Sequence, residues 1–171
     1  FASFHPLVFV STMEVKQTPV LGRITAAAGS LFVERRSKEN LRSEISMIER
    51  TLKEGFSLAF FPEGTSTNGS SVLPFKRPFF APAQEAKVPV LPVVVQPLEI
   101  DGQKVTAANR DKLCYYGDMT FFPHLFALAG CDQVKIQLKI LPELRFQEET
   151  KREQVASAAH SAILENFQPL N

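Results

Sequence analysis

Three groups of residues in this chain have types and spacing suited to an anionic ligand that also carries hydroxyls. Phe60-Phe61-Pro62-Glu63-Gly64-Thr65 ends an apolar run on a carboxylate, a glycine and a hydroxyl. Phe32-Val33-Glu34-Arg35-Arg36 ends another on two guanidinium groups, and Lys76-Arg77 follows the first group after a Gly/Ser/Thr-rich stretch. Arginine can meet two phosphate oxygens at once, and a glycine-rich turn frees backbone N–H groups to face the same anion. Glu63 fits differently. A carboxylate beside a phosphate repels it unless it accepts hydrogen bonds from a substrate hydroxyl, or pairs with Arg35 and orients it. A polyol phosphate offers both kinds of group, so the set leans towards glycerol phosphate or a relative.

Positioning these groups requires strands that end on one rim. Short apolar runs alternate with helical stretches, a pattern that predicts an α/β layer fold with a mostly parallel central sheet flanked by helices. Leu7 to Ser11, Leu31 to Val33, Ser57 to Phe61 and Val90 to Val95 read as strands, apolar throughout as buried parallel strands are. Thr18 then Pro19 predicts a capped helix that ends near Gly29. Glu39 to Glu54 predicts a second helix, with Leu41, Ile45, Ile48 and Leu52 on one face and Gly55 as its stop. Pro78 to Ala86 reads as a short helix and Lys151 to Phe167 as a long one. Val134, Ile136, Leu138 and Ile140 alternate with Lys135, Gln137 and Lys139, which predicts a strand with one wet face. In open sheets of this class, ligands bind outside the carboxyl ends of the strands, where Arg35 and Glu63 are expected.

Composition narrows the partners. With 171 residues, 44% hydrophobic and 22% charged, residues 1–171 read as a single folded domain. Net charge is +1, from 19 basic and 18 acidic residues, so no whole-molecule field draws in nucleic acid and anion binding must be local. Cys114 and Cys131 lack metal-site spacing, and His5, His124 and His160 form no ligand cluster, so neither a metal nor a disulfide framework is expected. No uncharged apolar run reaches the roughly 18 residues that span a bilayer. Phe121-Phe122-Pro123-His124-Leu125-Phe126 is either core or a patch that meets a bilayer or an acyl chain.

Phe61-Pro62-Glu63-Gly64-Thr65 resembles the signature of the glycerolipid (lysophospholipid and glycerol-3-phosphate) acyltransferases. Gly29-Ser30-Leu31-Phe32-Val33-Glu34-Arg35 is similar to that family's second motif, and Val88-Pro89-Val90-Leu91-Pro92-Val93 to its fourth. Lys16 to Gly22 looks like the connection into the second motif, and order and spacing agree from about residue 7 to residue 96. The resemblance implies transfer of a fatty acyl group from acyl-CoA or acyl carrier protein to the hydroxyl of a lysophospholipid, with no further cofactor. It also implies work at the cytoplasmic face of a membrane, peripherally or through an anchor elsewhere. Arg35 would hold the acceptor phosphate, Glu63 would help bind the acceptor, and Gly64 and Thr65 would shape the loop.

Two departures qualify this expectation. The family's base is a His followed five places on by an Asp, whereas His5 is followed by Val10. By the family's order that motif belongs upstream of Phe1, so the chain reads as a fragment that is inactive alone. The arginine often found after the threonine is Ser66 here, and Lys76 or Arg77 is expected to compensate. Simpler roles stand beside these: an Arg35–Glu63 bridge that only organises the loop, a solvated Lys76-Arg77 pair, and Thr65 as a turn cap. The same motifs also fit a non-catalytic lipid-phosphate or membrane-surface binding module of this fold.

Overall fold

A computed structural model describes residues 7–18, 20–33, 41–147 and 149–171 of the chain, so His5 and Arg35 lie outside the described residues. The chain divides into two compact units. The first draws on Phe1–Pro62, Arg77–Pro89 and Phe146–Arg152, the second on Glu63–Lys76, Val90–Arg145 and Glu153–Asn171.

The first unit is built on a parallel sheet in the order β2-β1-β3, with β1 (Leu7–Thr12) between β2 (Leu31–Val33) and β3 (Ser57–Ala59). Val10 aligns with Leu31 and Phe9 with Ala59. Parallel strands need crossovers, and helices supply them. α1 (Met13–Gln17) and α2 (Leu21–Ala27) join β1 to β2, and α3 (Leu41–Lys53) leads into β3. Because all three strands run the same way, Val33 and Ala59 both end their strands toward the carboxyl side of the sheet, on either side of β1 and offset by three residues along it, roughly 14 Å apart. The chain therefore leaves β2 and β3 at the carboxyl rim that the sequence pattern requires.

The first crossover differs from expectation. α2 starts at Leu21, with Val20 at its N-cap position, and the Thr18 carbonyl accepts from Gly22 N at 2.8 Å. The extra turn, α1, packs closely enough that a Cβ at Gly22 would collide with the Lys16 carbonyl. That close approach explains the buried glycine early in α2. At the helix ends the expected stops hold, since Gly29 has φ +74° and Gly55 φ +89°, the left-handed conformation that glycine enters without strain. Past β3, the Phe60 ring stacks on Phe79 and meets Phe80 edge-on, at centroid separations of 5.7 and 5.4 Å. Phe79 and Phe80 belong to a 3₁₀ turn, Arg77–Phe80, that runs into α4 (Ala81–Glu85) and matches the predicted short helix.

The second unit holds an antiparallel sheet in the order β5-β4-β6. β4 (Val93–Ile100) pairs with β6 (Val134–Ile140) along most of its length and with β5 (Gln103–Lys104) at its far end. The expected strand at Val90 to Val95 is thus displaced: Val90 makes an isolated bridge to Leu144, and the ladder proper begins at Val93. Opposite residues share a face, so Val93 with Ile140, Val95 with Leu138 and Pro97 with Ile136 form one apolar face. Val95, Ile136, Leu138 and Ile140 are all exposed, so the apolar face is the open one, contrary to the expectation that only the face of Lys135, Gln137 and Lys139 is wet. On the opposite face, Val94 and Gln96 are buried. There Lys139 Nζ donates to the carbonyl of Asn166, the last residue of α6 (Arg152–Asn166). α5 (Phe121–Ala129) buries none of its residues and exposes Phe122 and Phe126. Among the described residues, no helix is long and apolar enough to cross a membrane.

Candidate functional site

The second unit contains the loop Glu63–Lys76, and with it Glu63, Gly64, Thr65 and Lys76. Glu63 turns back into its own loop: Oε2 accepts from Leu73 N at 2.8 Å, a half-buried contact that closes the loop across ten residues. A carboxylate accepting a backbone N–H makes a charge-assisted bond stronger than a neutral one. Local bonds continue this folding, from Gly69 N to Thr67 Oγ1 at 3.2 Å and from Ser70 N to Asn68 Oδ1 at 3.0 Å. Such side-chain acceptors satisfy a turning backbone that no strand can.

Gly64 has φ +68°, and a Cβ there would lie 2.6 Å from Lys76 Nζ. The positive φ favours glycine, and the close contact sets the Lys76 ammonium directly over the backbone that follows Glu63. Lys76 is exposed, as is Thr65, whose hydroxyl makes only a long 3.5 Å contact to the Ser66 carbonyl. Glu63, Gly64 and Lys76 are therefore one cluster with a carboxylate held inward and a cation outward. Arg77 opens the 3₁₀ turn of the first unit and is exposed. Sequence reasoning missed Leu73, the partner of Glu63. No sequence signal marks it, since the pairing exists only once the loop has closed.

The first unit has an open groove of about 430 Å³, lined by Phe9, Val15, Leu21, Ile24 and Phe61 among others. Phe61 and Ile24 are largely exposed, with relative exposures of 63% and 59%. An apolar groove of this size suits a hydrocarbon chain. The remaining candidates behave as structural groups. His160 meets the Phe75 ring edge-on at 5.0 Å and His124 packs against Tyr115 at 5.4 Å. Among the described residues no cluster of His, Cys, Asp and Glu could hold a metal ion. Burial pushes the Cys114 thiol above its ordinary pKa, against the pull of the Arg110 guanidinium, so it is no activated nucleophile.

Comparison with known proteins agrees with the motif reading. Residues 2–96 match the family model described as Acyltransferase. The chain is 32% identical over 161 residues to a lyso-ornithine lipid O-acyltransferase of Rhodobacter capsulatus, covering 92% of this chain and 56% of that protein. It is 31% identical over 103 residues to a 1-acyl-sn-glycerol-3-phosphate acyltransferase of Neisseria gonorrhoeae, covering 60% of this chain and 40% of that protein. The solved 1-acyl-sn-glycerophosphate acyltransferase of Thermotoga maritima superposes with a TM-score of 0.58 at 18% identity, over 93% of this chain and 54% of that one, which shows a shared fold. The chain spans little more than half the length of the lyso-ornithine lipid acyltransferases it matches. On the family model, which takes in more than half of these residues and the three motif-like segments at 29–35, 61–65 and 88–93, the chain belongs to the acyltransferase family.

Proposed function

We propose that the whole protein transfers a fatty acyl group from acyl-CoA or acyl carrier protein to the hydroxyl of a lysophospholipid of the 1-acylglycerol-3-phosphate type, in phospholipid biosynthesis. In this reaction the acceptor oxygen attacks the thioester carbonyl, a base takes its proton, and the thiol leaves as the new ester forms. The observation that carries the reading is the Glu63–Lys76 loop, closed by Glu63 on Leu73 N and with Lys76 held over Gly64. Arg35, Lys76 and Arg77 are assigned to the acceptor phosphate, Glu63 to shaping its site, and Gly64 and Thr65 to the turn. Residues 1–171 act as one domain of that protein. The groove beside Phe61 suits the acyl chain. Because acceptors of this class reside in bilayers, the protein is assigned to the cytoplasmic face of a membrane, held peripherally or by segments outside these residues.

A second reading of the acceptor has its own support. The relatives named for lyso-ornithine lipid align over 91% to 92% of this chain, whereas those named for 1-acyl-sn-glycerol-3-phosphate align over 60% or less. Ser66, which stands where the family often has arginine, fits an acceptor with less negative charge. Assaying the whole protein with palmitoyl-CoA against lysophosphatidic acid and lyso-ornithine lipid separates the two. The first reading expects acylation of lysophosphatidic acid, a loss of at least tenfold in kcat/KM for Arg35→Ala, and an inactive 171-residue chain. Activity on lyso-ornithine lipid alone replaces it with the second, and binding of either lipid without acyl transfer supports a binding module instead.

A further inference from the structure

The loop Glu63–Lys76 is attached at its midpoint to a segment that lies far along the chain. Leu170 N donates to the Gly69 carbonyl at 2.9 Å. The Leu170 side chain fills the space beside that glycine, where a Cβ would come within 2.6 Å of Leu170 Cδ1, and Gly69 itself has φ +73°. Leu170 is 4% exposed and packs with Ile100 and Val105, while its carbonyl accepts from Arg110 Nη1. Two residues earlier the same segment is held by Gln96, a buried amide on β4. Gln96 Nε2 donates to the Gln168 carbonyl at 3.0 Å, and Gln168 N donates to Gln96 Oε1 at 2.8 Å. A buried amide that meets one residue's backbone with both its donor and its acceptor fixes that residue's position, since sliding the segment leaves both groups unsatisfied.

We propose that Gln168–Leu170 is a strap that positions the acceptor loop, with Leu170 and Gln96 as positioning residues for acyl transfer. This rests on the reading of the loop as the acceptor site. The bonds from Glu63, Thr67 and Asn68 close the loop on itself and give it shape. Leu170 fixes where that shaped loop stands relative to β4, through Gln168 and Gln96. A displacement of the loop by an ångström moves Lys76 and the turn at Gly64 together, and misplacement on that scale is enough to weaken a productive complex strongly.

The test compares Leu170→Ala with Leu170→Met in the whole protein, using hydrogen exchange and steady-state kinetics with lysophosphatidic acid and palmitoyl-CoA. Leu170→Ala is expected to raise exchange in 64–73 at least tenfold while amides of the β4–β6 ladder keep their protection. It should also raise the acceptor KM about tenfold, with kcat and the donor KM within twofold, and Leu170→Met should restore both readouts. Unchanged loop exchange overturns the strap. A loosened loop with an unaltered acceptor KM retains the attachment but overturns its role in acyl transfer, and with it the placement of the acceptor at this loop. Equal loss of protection throughout the ladder, with both KM values rising together, reduces Leu170 to a core residue and overturns the proposal. Should Leu170→Ala not fold, Gly69→Ala displaces the same contact from the loop side, and the selective rise in acceptor KM is expected there too. If that rise does not occur, the proposal fails.

Discussion

Glu63 shows how a signature residue can act through the backbone. From its type alone, a carboxylate on an anion-binding rim calls for a hydroxyl or a cation as partner, yet its observed partner is the Leu73 N–H. That bond needs an acceptor at Oε2 and does not need a charge, which separates the two roles experimentally. Glu63→Gln keeps an amide oxygen for Leu73 and is expected to lose less than about 1 kcal/mol of stability, whereas Glu63→Ala strands the half-buried N–H and loses about 1–3 kcal/mol. Chemical denaturation of the two variants measures this directly. If Gln and Ala destabilise equally, the carboxylate is not holding the loop through Leu73. A catalytic loss in Glu63→Gln with the fold intact then measures whatever the charge contributes to the acceptor.

At the scale of elements, what the sequence displays is what each segment carries within itself. β1, β2 and β3 are legible because each is a short, mainly apolar run set between helical stretches, and the stops at Gly29 and Gly55 are legible because their φ values suit glycine. Features that depend on residues far apart were hidden. The register of Val95 with Leu138 and the tie from Leu170 to Gly69 join positions with no common pattern in the chain. α1 escaped because a single turn, Met13–Gln17, is too short to show a helical period. Of the candidate site, the Glu63–Thr65 turn and Lys76 stood out by residue type, and Arg35 lies outside the described residues. The α1–α2 corner offers its own test. Gly22→Ala puts a methyl into the Lys16 carbonyl, and a Cβ there would also sit 2.7 Å from Lys16 C, so backbone must separate rather than a side chain swing aside. The expected loss is about 3 kcal/mol or more, read as a fall in unfolding midpoint, against about 1 kcal/mol gained where Gly→Ala suits a helix. A stabilised Gly22→Ala variant contradicts the close packing of this corner.

The whole molecule has little charge with which to keep apolar surface apart from its neighbours. Nineteen basic and eighteen acidic residues leave a net charge of +1, and the sequence pI is near 8.0. Meanwhile Val95, Ile136, Leu138 and Ile140 present adjoining apolar side chains on one sheet face, each about half exposed. Contiguous apolar patches of this kind favour association, and charge repulsion is weakest where net charge vanishes. The 171-residue chain should therefore self-associate most strongly near pH 8 and less as pH moves to either side. Leu138→Lys places a cation at the centre of the open face and adds one positive charge where the net charge otherwise vanishes, so it should suppress association near pH 8. Because that side chain is already 45% exposed, the unfolding midpoint should shift by no more than about 2 °C, as expected of a surface position in a chain of this size. Light scattering across pH, beside thermal unfolding of both proteins, reads the two quantities separately. Suppressed association with an unchanged midpoint locates the sticky surface on this sheet face, whereas a midpoint that falls by ten degrees means Leu138 is packed rather than open.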